Sequence, residues 1–189
     1  MYELFLDAVS KQWKMILFCN WSQINQQSIF LAGNESSLLW DKVLSFFKKC
    51  SIEVFELHHI YVVHGPGSFT GIRSICLFVN TLAYISQKLT LTPISFFDLY
   101  TSYPIIKQSS RRDVFAKKQK NSIIEILSIS ELQIYLQDIS QCYGSFDTTS
   151  IEGVRDLQQS YQVQDVISRI TKHNYKRIEP LYIKQANIS

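Results

Sequence analysis

Several features are scarce in this chain of 189 residues, and each scarcity argues against a class of protein. Its 4 cysteines stand far apart without a C-x-x-C pair, which argues against a zinc ribbon or a disulfide framework and favours buried free thiols. No run of about 20 uncharged apolar residues is present, so no segment is expected to cross a membrane. The first residues also lack the basic and apolar regions of a signal peptide. We therefore expect a protein of the reducing cytoplasm.

The chain also lacks a large excess of positive or negative charge. The formal net charge is +3 and 19% of the residues are charged, so the composition does not demand nucleic-acid binding by this chain alone. The densest basic stretch covers residues 111–120, and we interpret it first as a solvated strand edge and second as an anion or RNA contact. Hydrophobic residues make up 46% and aromatic residues 13% of the chain, which indicates a packed globule.

The chain has only 6 glycines and 4 prolines, yet three of the glycines and one proline fall within residues 65–71, GPGSFTG. An apolar run precedes this loop and a longer one follows it to residue 87, the pattern of a strand, a tight turn and a helix. Such a junction directs the free backbone N–H groups of the helix start toward a ligand.

The loop does not fit three known chemistries. It lacks the Gly-Lys-Ser/Thr of a Walker loop, and its glycine spacing and surroundings differ from those of a dinucleotide fingerprint. Ser68 is not the nucleophile of a G-x-S-x-G elbow, because Thr70 occupies the place of the second glycine. We predict instead that Ser68 caps the helix, where a phosphate or carboxylate could still dock.

Two predicted helices carry more apolar surface than one sheet can cover. Residues 38–50 place apolar side chains over a broad arc, and residues 69–87 are apolar on almost every side, without a charge between Arg73 and Lys88. A helix of this kind has to be buried on nearly every side. Either a second protein covers the apolar surface that the sheet leaves exposed, or both helices lie wholly within the core of this chain.

The order of predicted elements in the first half is strand-strand-strand-helix-strand-helix. It indicates an α/β fold containing a layer of the ribonuclease-H type, one half of an actin-like architecture. We place the division near Pro104, with an N-terminal subdomain of residues 1–103 and a smaller one of residues 104–189. The last helix and the tail are expected to pack back on the first subdomain. No internal sequence repeat is evident.

Metal and nucleotide chemistry have little support in the sequence. His58, His59, His64 and His173 form no H-x-x-x-H pair, and we expect them to be solvated or singly hydrogen-bonded. Asp7 ends the first predicted strand, where actin-like enzymes place a carboxylate near the nucleotide. Alone it does not decide between a functional and a structural role.

The nonapeptide GPGSFTGIR at residues 65–73 is very similar to the GPGSFTGLR signature of the TsaB (YeaZ) family. Weaker similarities follow the family's order along the chain. Residues 6–10 resemble its opening DTS strand, residues 110–115 its DARRGEVY motif, and residues 179–184 its terminal P-x-Y-L-R motif. The resemblance implies an actin-like fold of two ribonuclease-H-like subdomains, the second reduced.

The family resemblance also implies a function. TsaB-like proteins are non-catalytic subunits of the bacterial machinery for threonylcarbamoyladenosine in tRNA, and they bind the catalytic TsaD-type subunit through a helical bundle. A TsaE-type ATPase is a third component, ATP and the metal belong to the partner subunits, and tRNA is met only through the complex. Without its partner, the chain is expected to form a homodimer.

Two sets of candidate site residues are assigned from the sequence. The side chains expected to face the partner lie on the two apolar helices: Leu39, Val43, Phe46, Phe47, Ile72, Ile75, Cys76, Phe78, Val79 and Leu82. The candidate anion or nucleotide loop comprises Asp7, Gly65, Gly67, Ser68, Thr70, Gly71 and Arg73. No catalytic or metal-binding residue is assigned.

Two alternatives to the scaffold interpretation stay open. The first is a stand-alone enzyme of actin-like fold that binds ATP with Asp7 and the loop of residues 65–71 at the phosphates. The second is a homodimer that serves an unrelated partner.

Overall fold

Two five-stranded β-sheets organise the chain, whose computed structural model describes residues 1–10, 12–30, 38–110, 112–137, 139, 141–145, 154–157 and 161–183. The chain divides into two compact units, the first of Met1–Phe96 with Ile167–Leu181 and the second of Phe97–Val166 with Tyr182–Ser189. The first boundary thus falls shortly before the division expected from the sequence. No helix in the described part of the chain has the length and apolar character needed to cross a membrane.

The first sheet combines antiparallel and parallel pairing. Its strands are β1 (Tyr2–Asp7), β2 (Gln12–Cys19), β3 (Ser22–Phe30), β4 (Leu57–Gly65) and β5 (Thr90–Ser95). The strand order is β3-β2-β1-β4-β5, in which the first three are antiparallel neighbours and β4 runs parallel to both β1 and β5. Parallel pairs need long crossover connections, and α1 (Leu39–Cys50) and α2 (Phe69–Ile85) lie in these connections.

The helices α1 and α2 pack on one face of this sheet. The buried residues of α1 recur with helical spacing, and those of α2 join them in one core cluster. Leu4 and Leu6 of β1 and Met15 and Leu17 of β2 line the same cluster from the sheet. The alternation of inward residues along each strand therefore fixes which sheet face receives the helices.

The second unit has its own sheet and core. Its strands are β6 (Ile105–Gln108), β7 (Asp113–Lys117), β8 (Ile124–Ser128), β9 (Cys142–Ser145) and β10 (Val154–Asp156). Two more α-helices are described, α3 (Ile129–Gln137) after β8 and α4 (Val163–Arg169) after β10. Ile106, Val114, Ala116, Leu132 and Cys142 form the buried cluster of this unit.

The second sheet repeats the topology of the first. Read from β8, its order is β8-β7-β6-β9-β10, with three antiparallel neighbours followed by two parallel pairings. A helix again lies between the third strand and the fourth, as α1 does in the first unit. The α/β class predicted from the sequence is confirmed. The fold thus contains a repeat of topology that the sequence does not reveal as a repeat of residues.

The apolar pattern of the sequence predicts a strand over residues 27–31 and a short helix over residues 96–103, and the structure differs at both. Strand β3 begins at Ser22, ahead of the segment 27–31 that the apolar pattern indicated, because the backbone of a polar stretch pairs with β2 as well as an apolar one does. The helix expected after β5 is a single 3₁₀ segment, Phe96–Leu99, whose short span fits the proximity of Pro104. The weakly patterned stretch 141–156 contains β9 and β10.

The other face of the first sheet holds a buried histidine. His59 in β4 hydrogen-bonds Thr90 through Nδ1 at 2.7 Å and Thr92 through Nε2 at 2.8 Å. It is therefore neither solvated nor singly bonded, contrary to the prediction from the sequence. Burial, reinforced by the charge of Lys172, lowers the pKa of His59 to about 3, so the ring is neutral near pH 7.

This histidine predicts a pH dependence of folding. The pKa of His59 is about 3 in the folded chain and has its ordinary value of 6.5 in the unfolded chain. At a pH between these two values, the unfolded chain therefore binds more protons than the folded chain does. The stability it contributes is complete above about pH 6.5 and is lost as the pH falls toward about 3, with a slope of at most about 1.4 kcal/mol per pH unit. We expect the free energy of unfolding in urea to fall less steeply for His59→Gln than for the wild type as the pH is lowered from about 7 to about 4. Equal slopes in the two proteins would contradict this assignment.

Candidate functional site

The turn between β4 and α2 satisfies much of its own hydrogen bonding. Oγ of Ser68 accepts a hydrogen bond from the backbone N–H of Gly71 at 3.0 Å, which confirms the predicted N-cap. The carbonyl of Ser68 accepts from the N–H of Ile72 at 3.0 Å. The guanidinium of Arg73 lies over the ring of Phe69, 5.1 Å from its centre. Three of the predicted anion-binding residues therefore have partners within α2 and its cap.

The glycines of the loop are required by close packing within the chain. Gly65 has φ of 133°, and a Cβ built there would lie 2.9 Å from the carbonyl oxygen of Leu181. A Cβ on Gly67 would lie 2.8 Å from Cγ1 of Val9. Intrachain contacts thus explain both positions without a ligand, while Thr70 is exposed in the first turn of α2.

Asp7 is buried and shapes the turn between β1 and β2. Its Oδ1 accepts hydrogen bonds from the N–H groups of Val9 and Ser10, both at 3.0 Å. Its Oδ2 accepts from the hydroxyl of Ser10 at 2.5 Å. Because Val9 also adjoins Gly67, the structure brings the Asp7 turn and the glycine loop together at one end of the first sheet.

A C-terminal strap, residues 171–181, closes over the glycine loop. The N–H of Leu181 donates to the carbonyl of His64 at 3.0 Å. Nδ1 of His64 donates in turn to the carbonyl of Glu179 at 2.8 Å. The sequence indicated only an extended tail here, because backbone carbonyls and N–H groups leave no residue signature.

The burial of α1 and α2 corrects the partner-facing set proposed from the sequence. All ten side chains are buried in the first unit, and most of them belong to its core cluster: Leu39, Val43, Phe46, Phe47, Ile72, Ile75, Cys76, Phe78, Val79 and Leu82. They cover the sheet and each other. The sequence pattern identified the strongest apolar arc of each helix, and that arc faces the core.

Other apolar side chains on the same helices reach solvent, and we call them the helix face: Trp40, Leu44, Leu77, Tyr84 and Ile85. Leu77 is 68% exposed and Tyr84 is 79% exposed. The two helices meet where the ring of Trp40 contacts that of Phe78 edge-on, with centres 4.5 Å apart. Large exposed apolar side chains on two helices in contact are candidates for a binding surface.

Two of the described thiols are buried and have raised pKa values. Burial raises the pKa of Cys76 to about 12 and that of Cys142 to about 11, so both stay protonated near pH 7. Within the described ranges, no three His, Cys, Asp or Glu side chains are close enough to hold a metal ion.

The basic stretch 111–120 is partly neutralised within the second unit. Nζ of Lys117 lies 3.5 Å from a carboxylate oxygen of Asp98, and Nζ of Lys118 lies 3.2 Å from one of Glu125. Arg111 is outside the described residues. These pairings reduce the charge that the stretch could offer to RNA. The interpretation of a solvated strand edge is wrong at Lys117, because β7 lies between β6 and β8 and this lysine is buried.

Comparison with known proteins gives matches in structure alone. No family model and no curated protein matches the sequence. A solved structure described as an uncharacterized protein with similarity to peptidase YeaZ from Pseudomonas aeruginosa has a TM-score of 0.69 and 14% identity, over 97% of this chain and 99% of that one. YeaZ from Pseudomonas aeruginosa has a TM-score of 0.64 and 13% identity, over 88% of this chain and 89% of that one. The chain therefore has the fold of these YeaZ-like structures.

The two crowded glycines should respond differently to the same second mutation. Gly67→Ala should destabilise the fold by about 1–3 kcal/mol through the clash with Val9, and Val9→Ala should relieve a large part of this cost. Gly65→Ala should cost at least as much, because its Cβ meets backbone at an unfavourable φ. Chemical denaturation of the single and double variants measures the two coupling energies. Relief of Gly65→Ala by Val9→Ala would show that the packing described here is wrong.

Proposed function

We propose that this chain is a member of the TsaB (YeaZ) family and a non-catalytic scaffold subunit of the bacterial tRNA threonylcarbamoyladenosine synthase. Family membership is supported by the nonapeptide at residues 65–73 together with the YeaZ-like fold over nearly the whole chain. The repeated sheet topology supports an actin-like architecture of two ribonuclease-H-like subdomains, the second reduced.

The helix face carries the scaffold proposal. Its exposed apolar side chains lie on two adjoining helices, as a four-helix bundle with a partner's helix pair requires. A catalytic TsaD-type subunit would bury Leu77 and Tyr84 and exclude water from them, which stabilises the complex. Without that subunit, a second copy would cover the same surface in a homodimer.

The remaining partners and cofactors follow from this role. The TsaE-type ATPase would bind near the junction of the two subunits, and tRNA would be met through the assembled complex in the cytoplasm. ATP and the metal ion would reside in the partner subunits. The hydrogen bonds that Asp7 and Ser68 accept from their own turns support the absence of a nucleotide from this chain.

An ATP-binding enzyme is the second candidate, and one observation favours it. The Asp7 turn and the glycine loop adjoin at one end of the first sheet, where an actin-like enzyme would hold phosphates. Against it, both carboxylate oxygens of Asp7 accept hydrogen bonds from residues of its own turn. A phosphate or a hydrated cation would have to compete with those bonds.

Leu77 and its neighbour Phe78 distinguish surface from core. Leu77→Glu should abolish binding to the same organism's TsaD-type subunit with little loss of stability, because the side chain is 68% exposed. Phe78→Glu should unfold the chain, because its side chain is 0% exposed and an unpaired buried carboxylate costs several kcal/mol. Size-exclusion chromatography with light scattering measures complex formation, and thermal melting measures stability.

Ile123→Glu is the matched control, since Ile123 is 79% exposed in the second unit. It should bind the catalytic subunit like the wild type. Equal binding by Leu77→Glu and Ile123→Glu would remove the helix face from the interface. A wild-type chain that ignores the catalytic subunit altogether would refute the scaffold proposal.

Asp7 distinguishes the two candidate functions. Asp7→Ala should lower the free energy of unfolding by about 1–3 kcal/mol, because three hydrogen bonds in the β1–β2 turn are lost. Magnesium-ATP should leave the melting temperature of the wild type unchanged, since a ligand raises it only by binding the folded chain. A rise with ATP that disappears in Asp7→Ala would favour the enzyme instead.

A further inference from the structure

A cavity of about 360 Å³ opens beside the helix face, between the C-terminal half of α2 and the strap. Tyr84, which belongs to the helix face, forms one wall. Lys176 and Arg177 of the strap form the opposite side. All lining residues belong to the first unit, so the cavity is formed within one compact body.

Hydrogen bonds fix the walls of this cavity. Nδ2 of Asn80 donates to the carbonyl of Ile178 at 2.9 Å, and Oδ1 of Asn80 accepts from the N–H of Ile178 at 2.9 Å. Nζ of Lys176 donates to the carbonyls of Gln87 and Leu89, the latter at 3.0 Å. These bonds join α2 and the residues that follow it to the strap, so the backbone around the cavity is held in place without a ligand.

The charge in the cavity has one sign. Lys176 and Arg177 line it, and none of its described lining residues is a carboxylate. Lys176 uses two of its three donors on carbonyls and keeps one for a ligand. The exposed guanidinium of Arg177 makes no hydrogen bond or ion pair with another described residue. The cavity therefore offers the donors of two cationic side chains to an anion next to an exposed aromatic ring.

We propose that this cavity receives a carboxylate side chain, Asp or Glu, of the partner protein that covers the helix face. The inference rests on the proposed function and adds the chemistry of the partner's surface, an apolar centre with an acidic residue at its edge. A carboxylate matches the fork of Arg177 and the remaining donor of Lys176. The adjoining apolar side chains exclude water from that pairing.

Two other occupants fit less well. A second copy of this chain presents an α2 without a single acidic residue from Phe69 to Ile85, so pairing of α2 on α2 would leave the cations unmatched. An RNA phosphate would suit the cations but would leave Leu77 and Ile85 uncovered. An acidic protein surface satisfies both the charge and the apolar residues, and it would displace a self-associated form.

The test uses Arg177→Glu, because Arg177 is exposed and makes no hydrogen bond or ion pair with another described residue. Its matched control is Lys120→Glu, the same change of charge at an exposed residue in the second unit. The affinity of each full-length protein for the TsaD-type subunit is measured at about 0.05 M and about 0.3 M salt. We expect Arg177→Glu to bind roughly tenfold more weakly at low salt and to lose most of the salt dependence, with Lys120→Glu within about twofold of the wild type.

A zero-length carbodiimide gives a second readout that does not depend on a mutation. It should join the amine of Lys176 to an Asp or Glu of the bound subunit, identified by mass spectrometry, and the link should be lost in Lys176→Arg. Arg177→Gln, which removes the charge without reversing it, serves if Arg177→Glu melts early. Its loss of affinity should be smaller and in the same direction.

Each contrary result has a distinct meaning. If the wild type binds the subunit and Arg177→Glu binds equally well at both salt concentrations, the proposal of an acidic partner residue in the cavity is wrong. The scaffold proposal is then unaffected. If the wild type does not bind the subunit, both proposals fall. If Arg177→Glu weakens binding of tRNA to the isolated chain and leaves subunit binding unchanged, the cavity is a nucleic-acid contact and the inference is wrong.

Discussion

The two hydrogen bonds between the Asn80 side chain and the backbone of Ile178 connect the features that matter in the first unit. They tie the middle of α2 to the strap and satisfy both backbone groups of one buried residue, which would otherwise be costly. Leu181 of the strap bonds the carbonyl of His64 next to the glycine loop, and Lys176 bonds the carbonyl of Gln87 just after α2. The strap therefore contacts α2, the glycine loop and the cavity.

The strap also covers the polar face of the first sheet. Thr92 donates its hydroxyl to the carbonyl of His173 and accepts from the N–H of that residue, both at 2.9 Å. Lys172 pairs with the buried Glu3 at 2.5 Å, and its ammonium lies 5.6 Å from the ring centre of Tyr61. A buried carboxylate needs such a partner, so the strap stabilises the sheet and does not merely follow it.

The sequence was sufficient for the features that residue types determine locally. The glycine pattern of residues 65–71 predicted a strand, a turn and a capped helix, and the apolar periodicity predicted both α1 and α2. It could not show which arc of each helix meets solvent. On a helix that is apolar almost all round, periodicity cannot separate the core-facing Phe78 from the exposed Leu77.

The other features missed from the sequence depend on backbone pairing or on distant residues. The repeated sheet topology rests on hydrogen bonds that any residue types can make, so the two units need share no residue pattern. The strap joins residues such as His64 and Glu179, which lie far apart in the chain. The cavity is lined by Tyr84 and Arg177, which are far apart in the sequence, so no local motif predicts that they lie together.

The glycine loop and the helix face are linked by the geometry of one helix. Gly65 and Gly67 let the chain pass under the strap and against Val9, and Ser68 then starts α2 in a fixed direction. That direction, together with the Asn80 clamp, determines that Leu77 emerges at the surface while its neighbour Phe78 is buried. The nonapeptide that carries the family resemblance is, on these contacts, a folding element. It contributes to function because it fixes the direction of α2, and a partner would bind the surface that α2 presents.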